Sequence, residues 1–207
     1  MTPVRAERDA LCDTLLAAGP DAPTLCEGWD VLDLAAHLVV RENRPDAAAG
    51  LVVPFLGRRL ERITGTYKAR GLPSLVETFR AGPPRWSPTA VPALDAQVNL
   101  AELVVHHEDV RRPMGLGPRE GIDELSEQVW SSLPASALLS LRGSRLAVVA
   151  IHPDGRHRVL RRGPHPVVLA GPPVDLLLAL FGRAAAQVEV SGPALSVARF
   201  EAADKGV

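Results

Sequence analysis

Apolar residues recur at helical spacing through the first two thirds of the chain and at strand spacing only near its end. Residues 3–18 read as an amphipathic helix, with Leu11, Leu15 and Leu16 on its apolar side and Gly19-Pro20 as its stop. Trp29 and Asp30 open a second helix. Asp30 is placed to cap it and Asp33 lies in its first turn, while Trp29 is expected to anchor its start in the core. This helix fades by Asn43-Arg44-Pro45. The 47–70 region is interrupted by Pro54 and Gly57, yet 56–63 looks helical. A short helix follows over 73–80, with Pro73 at its start and Leu75, Val76 and Phe79 as its stripe. After a loop at 82–88, a long helix is predicted over 93–112. Its apolar positions Leu100, Leu103, Val104 and Val105 meet no Gly or Pro until Pro113.

The character of the chain changes at Pro113-Met114-Gly115-Leu116-Gly117-Pro118. Helix resumes over 122–133. Beyond Ser140 the run 145–151, an Asp154-Gly155 turn and 156–160 read as a strand pair, and 166–170 as a further strand. Residues 174–186 read as an apolar helix containing Gly182-Arg183, and 187–192 alternate as a half-buried strand does. The pattern predicts an α+β protein. A helical domain occupies 1–140, with 113–140 as a helical connection, and a small α/β domain occupies 141–207.

At 207 residues the chain can bury one large core or two smaller ones. With 46% hydrophobic and 23% charged residues it has the balance of a globular protein. A net charge of −1 makes no electrostatic case for nucleic acid or an anionic membrane, and the arginine pairs (Arg58-Arg59, Arg111-Arg112, Arg161-Arg162) are scattered. The charged start and the lack of a long apolar run predict neither a signal peptide nor a membrane span, so a cytoplasmic protein is expected. Cys12 and Cys26 make no disulfide framework and no cysteine-rich zinc site.

Chemistry concentrates in the 99–112 stretch. Glu102 and His106 are four residues apart and therefore share a helical face, where a carboxylate and an imidazole can hold one divalent metal. His37, in the apolar run 33–40, offers a third ligand, and a His, Glu, His set leaves a coordination position open. The plainer alternative is a surface Glu-His hydrogen bond beside a satisfied core histidine, worth a few tenths of a kcal/mol. His107 points about 100° away from His106 and faces a flank. For Cys26 a buried structural role stands beside that of an extra ligand. Asp109 has two readings, a support for a ligand or part of a solvated face.

The stretch Gly28-Trp29-Asp30-Val31-Leu32-Asp33-Leu34-Ala35-Ala36-His37-Leu38, followed by Glu102-x-x-x-His106-His107-Glu108-Asp109-Val110-Arg111-Arg112, resembles the mycothiol-dependent maleylpyruvate isomerase-like family of actinobacteria. That family lies within the DinB-like metal-binding superfamily. Residues 174–183 resemble a helix of its sterol-carrier-protein-like C-terminal domain. The resemblance implies an N-terminal four-helix bundle in which His37, Glu102 and His106 hold a divalent metal, most often zinc. It also implies mycothiol at the open position, and Arg183 as a catalytic residue holding a substrate carboxylate bidentately. For Arg183 the competing role is capping the helix end.

Three functions are compatible with these features: a mycothiol-dependent isomerase of a maleylpyruvate-like substrate, a mycothiol S-transferase acting on another electrophile, and a non-catalytic metal- or small-ligand-binding protein. The partners expected are a small thiol and a small carboxylate-bearing substrate. The chain itself is a monomer or a homodimer.

Overall fold

The computed structural model describes residues 2–44, 57–84 and 99–205. The chain divides into two compact units, Met1–Gly117 and Pro118–Val207. The first contains helices α1 (Pro3–Ala18), α2 (Val31–Asn43), α3 (Gly57–Lys68), α4 (Leu72–Ala81) and α5 (Leu100–Arg111). The second contains α6 (Asp123–Ser140), β1 (Val148–Ile151), β2 (His157–Arg161), β3 (Val167–Ala170), α7 (Pro173–Leu180), β4 (Glu189–Ser191) and α8 (Ala194–Glu201). The protein is thus helical with a small mixed sheet. Among the described residues no helix is long and apolar enough to cross a membrane.

The helices of the first unit begin where their sequence says they should. Thr2 Oγ1 accepts the Arg5 amide at 3.3 Å, and Pro3 takes the first helical position, where a missing N–H costs nothing. At α2 the Asp30 carboxylate accepts the Asp33 amide at 2.8 Å, and the Asp33 carboxylate accepts the Asp30 amide at 3.4 Å, a reciprocal cap. Leu11 and Leu15 of α1 meet Leu34, Leu38 and Val39 of α2, Leu75 and Phe79 of α4, and Leu103 and Val110 of α5 in one core. Leu16, expected on the apolar side, is 47% exposed, because it lies one residue beyond the buried Leu15 and points away. Between α1 and α2 the Arg8 guanidinium holds Glu42 through two bonds of 2.8 and 2.5 Å, a buried pair lying over the Phe79 ring.

The 93–98 part of the predicted long helix and the 85–88 part of the predicted loop lie outside the described residues. From Leu100 to Val110 every residue of α5 except Glu102 is buried, so this helix is enclosed by its neighbours.

In the second unit the strand order is β2-β1-β3-β4. The β1–β2 and β3–β4 pairs are antiparallel and β1–β3 is parallel. The helix read as a connection, α6, continues past the expected stop through Pro134 to Ser140, and it packs on α7 and β2. The expected helix over 174–186 ends at Leu180 instead. Gly182 takes φ +75°, and the amides of Gly182 and Arg183 bond back to the carbonyls of Ala179 and Leu178, a left-handed glycine stop. The helix α8 lies beyond the last element that the sequence pattern predicts.

Candidate metal centre

Two segments deliver the site: the face of α2 carrying His37 and Arg41, and the face of α5 carrying Glu102, His106 and Asp109. The structure brings His37, Glu102 and His106 together, with one donor atom from each lying within 4.8 Å of the others. Glu102 Oε1 stands 3.3 Å from His106 Nε2 and 3.8 Å from His37 Nε2. Donors about 2.1 Å from a tetrahedral metal stand about 3.4 Å apart, so two edges of the triad already have the size such an ion needs. Two imidazoles and a carboxylate also make the borderline N/O donor set that zinc and its neighbours prefer. The residues present therefore fit a divalent metal, and with three protein donors a four-coordinate ion would keep one position for an outside ligand.

His106 is 8% exposed and anchored from behind: its Nδ1 lies 2.9 Å from the buried Asp109 carboxylate. With Asp109 accepting the Nδ1 proton, Nε2 is the nitrogen turned toward Glu102 and His37. This is the carboxylate–histidine arrangement that orients metal ligands. Asp109 is thus a support and not part of a solvated face. Burial alone would push His106 down, but bonds to Asp109, Cys26 and Glu102 hold it well above the ordinary imidazole range. Burial would raise Glu102, yet bonds from His106 and His37 and the charge of Arg41 hold it well below the usual carboxylate range. His37 is lowered, chiefly by burial.

Four consecutive polar residues of α5 are buried, and each leaves the helix in its own direction. His106 meets the triad. His107 turns to α1, with Nδ1 2.8 Å from Glu7 and Nε2 2.8 Å from Thr14 Oγ1. Glu108 accepts from Arg112 Nε at 2.6 Å, and Asp109 holds His106.

The loop before α2 closes over the site. Gly28 at φ +75° makes its turn, Thr24 Oγ1 donates to the Trp29 carbonyl at 2.8 Å, and the Leu25 amide donates to the Asp109 carbonyl at 2.9 Å. This brings Cys26 Sγ to 3.2 Å from Asp109 Oδ2. Cys26, His106 and Asp109 form a second group able to hold a metal, on the Nδ1 side of the shared imidazole. Neither cysteine is in a disulfide. Burial pushes the Cys12 thiol up to about 11, far from thiolate chemistry at neutral pH.

Trp29 does not anchor the core. It is 36% exposed, and its ring lies 5.0 Å from that of His37, because the loop carries it across the triad instead of under α2. Trp29, His37, Arg41 and Lys68 line a pocket of about 360 Å³ whose wall therefore includes one of the candidate ligands. Arg41 Nε is 3.4 Å from Glu102 Oε1 and its Nη1 donates to Asn99 at 3.1 Å; Lys68 Nζ is 2.6 Å from Asp33. Sequence reasoning missed Arg41, although its place four residues after His37 puts it on the same face. Lys68 had no signal, since its partner Asp33 is 35 residues away. Arg183 belongs to the other unit, at the end of α7, where its Nη1 donates to the Phe181 carbonyl at 2.8 Å.

No protein-family model matches the sequence, and no curated protein matches it. Among solved structures, the crystal structure of the mycothiol-dependent maleylpyruvate isomerase aligns with a TM-score of 0.53 at 16% identity, over 91% of this chain and 90% of that one. A crystal structure of a histidine-to-alanine mutant of that isomerase aligns with a TM-score of 0.51 at 17% identity and the same coverage. At such identities the likeness is one of fold.

Proposed function

We propose that this protein is a metal-dependent enzyme that uses a small thiol. Its first unit is taken as a DinB-like four-helix bundle and its second as a sterol-carrier-protein-like domain. The observation that carries the reading is the convergence of His37, Glu102 and His106 beside an open pocket, with Asp109 fixing His106 from behind. The thiol proposed is mycothiol and the reaction proposed is isomerisation of a maleylpyruvate-like substrate, a reading supported by the likeness in fold to the isomerase.

A divalent metal, zinc by its donor set, would hold a coordinated thiol as thiolate near neutral pH, where a free thiol of pKa about 8.5 is mostly protonated. The chain's own residues supply the rest. His37 presents a neutral nitrogen donor, His106 would become one by giving up its Nε2 proton to a metal, and Glu102 supplies one negative charge, offset by Arg41 at 3.4 Å. Trp29 stands beside His37, with the two rings 5.0 Å apart, and forms part of the same pocket wall. Arg183 is assigned as the anchor for a substrate carboxylate.

Metal analysis of the purified, untagged protein tests this. One equivalent of metal in the wild type is expected, falling below a tenth of an equivalent in His106→Ala and Glu102→Gln. Mycothiol titration should show binding to the loaded form only. A wild type without stoichiometric metal ends the enzyme reading. Unchanged turnover in Arg183→Ala would remove that residue from the mechanism.

A further inference from the structure

The second unit has a cavity of its own, about 670 Å³, at the turn that follows α6. Its wall includes Arg142, Arg145 and Arg199, with Asp204 as the acidic member, and all three arginines are exposed. Among the described residues none of the three guanidiniums has a hydrogen bond or an ion pair, although most of the chain's other described arginines do. The same wall contains Ser140. It is 2% exposed, so it belongs to the floor beneath the opening and not to its accessible rim.

The rim of this cavity is held still. Arg161, from β2, donates to the Leu141 carbonyl at 2.5 Å, to Ser144 Oγ at 3.0 Å and to the Ser144 carbonyl at 2.8 Å, while the Ser144 amide closes the turn on Leu141 at 2.9 Å. One arginine is thus spent on the scaffold, while three stand over the opening.

We propose that this cavity binds a phosphate monoester of a non-aromatic, polyhydroxylated molecule, such as a sugar phosphate. Guanidiniums match phosphate oxygens as bidentate forks, and several around one opening suit a dianion better than a single carboxylate. The volume exceeds what a bare phosphate needs. No aromatic side chain lines it, so a nucleotide base would have nothing to stack on. Every residue lining the cavity belongs to the second unit, and none is one of the metal triad.

Isothermal titration of the full-length protein at constant ionic strength tests this with glucose 6-phosphate, inorganic phosphate, sulfate and glucose as probes. Glucose 6-phosphate should bind at least tenfold more tightly than inorganic phosphate or sulfate, and glucose should give no heat. Arg145→Gln/Arg199→Gln should lose at least tenfold. His106→Ala should bind as the wild type does. The arginines are exposed, so the double variant keeps its fold, and an unchanged melting temperature checks that. Sulfate binding as tightly as the sugar phosphate would reduce the site to simple charge attraction and overturn it. Equal affinity in the double variant would overturn it too, as would silence of every phosphate.

Discussion

His106 presents its two ring nitrogens to two different carboxylates, Glu102 at 3.3 Å and Asp109 at 2.9 Å. Only one side can be the metal side. If the ion sits with His37 and Glu102, Asp109 acts through His106, and Asp109→Asn keeps the ring in place but removes the charge that makes it a stronger donor. Metal affinity should then fall about 10–100-fold, with one equivalent still reached at saturation. Cys26→Ala should leave the stoichiometry unchanged. Competition titrations with a chelating dye decide it: loss of metal in Cys26→Ala with retention in Glu102→Gln would move the ion to the Cys26 side. The Glu102–His106 register was legible in the sequence because four-residue spacing is a property of any helix. The burial of His106, His107, Glu108 and Asp109 was not. Four adjacent polar residues read as a solvated face unless partners on α1 and in the 20–30 loop are known, and those partners are 83 to 100 residues away.

At the scale of elements, local signals were followed where local chemistry decides. The Asp30–Asp33 cap, Pro3 and the Gly19 stop lie within a turn of the ends they set, and α1 and α2 run as the pattern predicts. Extent failed where packing or a single glycine outweighed the pattern, as in α6 past Pro134 and α7 short of Arg183. Asp33 joins α2 to α3 through Lys68, whose own pKa rises on the bond. Burial would raise Asp33, but bonds from Lys68 and Asp30 hold it below its ordinary 3.8. A carboxyl lowered on folding stabilises the fold fully above its unfolded value and loses that contribution as pH falls through its folded value. Asp33→Asn should therefore cost about 0.5 kcal/mol at pH 7, the scale of a partly exposed ion pair, and progressively less below pH 3.8. Urea unfolding at both ends of that range measures the gap. A gap that persists in acid would assign the effect to the cap and not to the charge.

For the molecule as a whole, the division after Gly117 has a consequence for function. His37, Glu102, His106, Asp109, Cys26 and Trp29 all precede it, and their core is made of α1, α2, α4 and α5. A fragment ending at Gly117 should fold and bind one equivalent of metal as the whole chain does. The helix α6 belongs to the other side of the cut. It packs on α7 and β2 and buries Leu125, Val129, Trp130 and Leu133, and each large apolar side chain contributes about 1.5–3 kcal/mol when withdrawn from water. A fragment of 118–207 should consequently show a cooperative melt, while one of 141–207, lacking α6, should not. Circular dichroism melts of the two decide between the break near 140 that the sequence pattern suggested and the break at 117. If 141–207 melts cooperatively, α6 is dispensable to the sheet and the earlier break is a division of contacts without independent stability. If the 1–117 fragment folds but binds no metal, the centre needs a residue from beyond Gly117. The three-ligand site would then be incomplete, whatever the full-length protein holds.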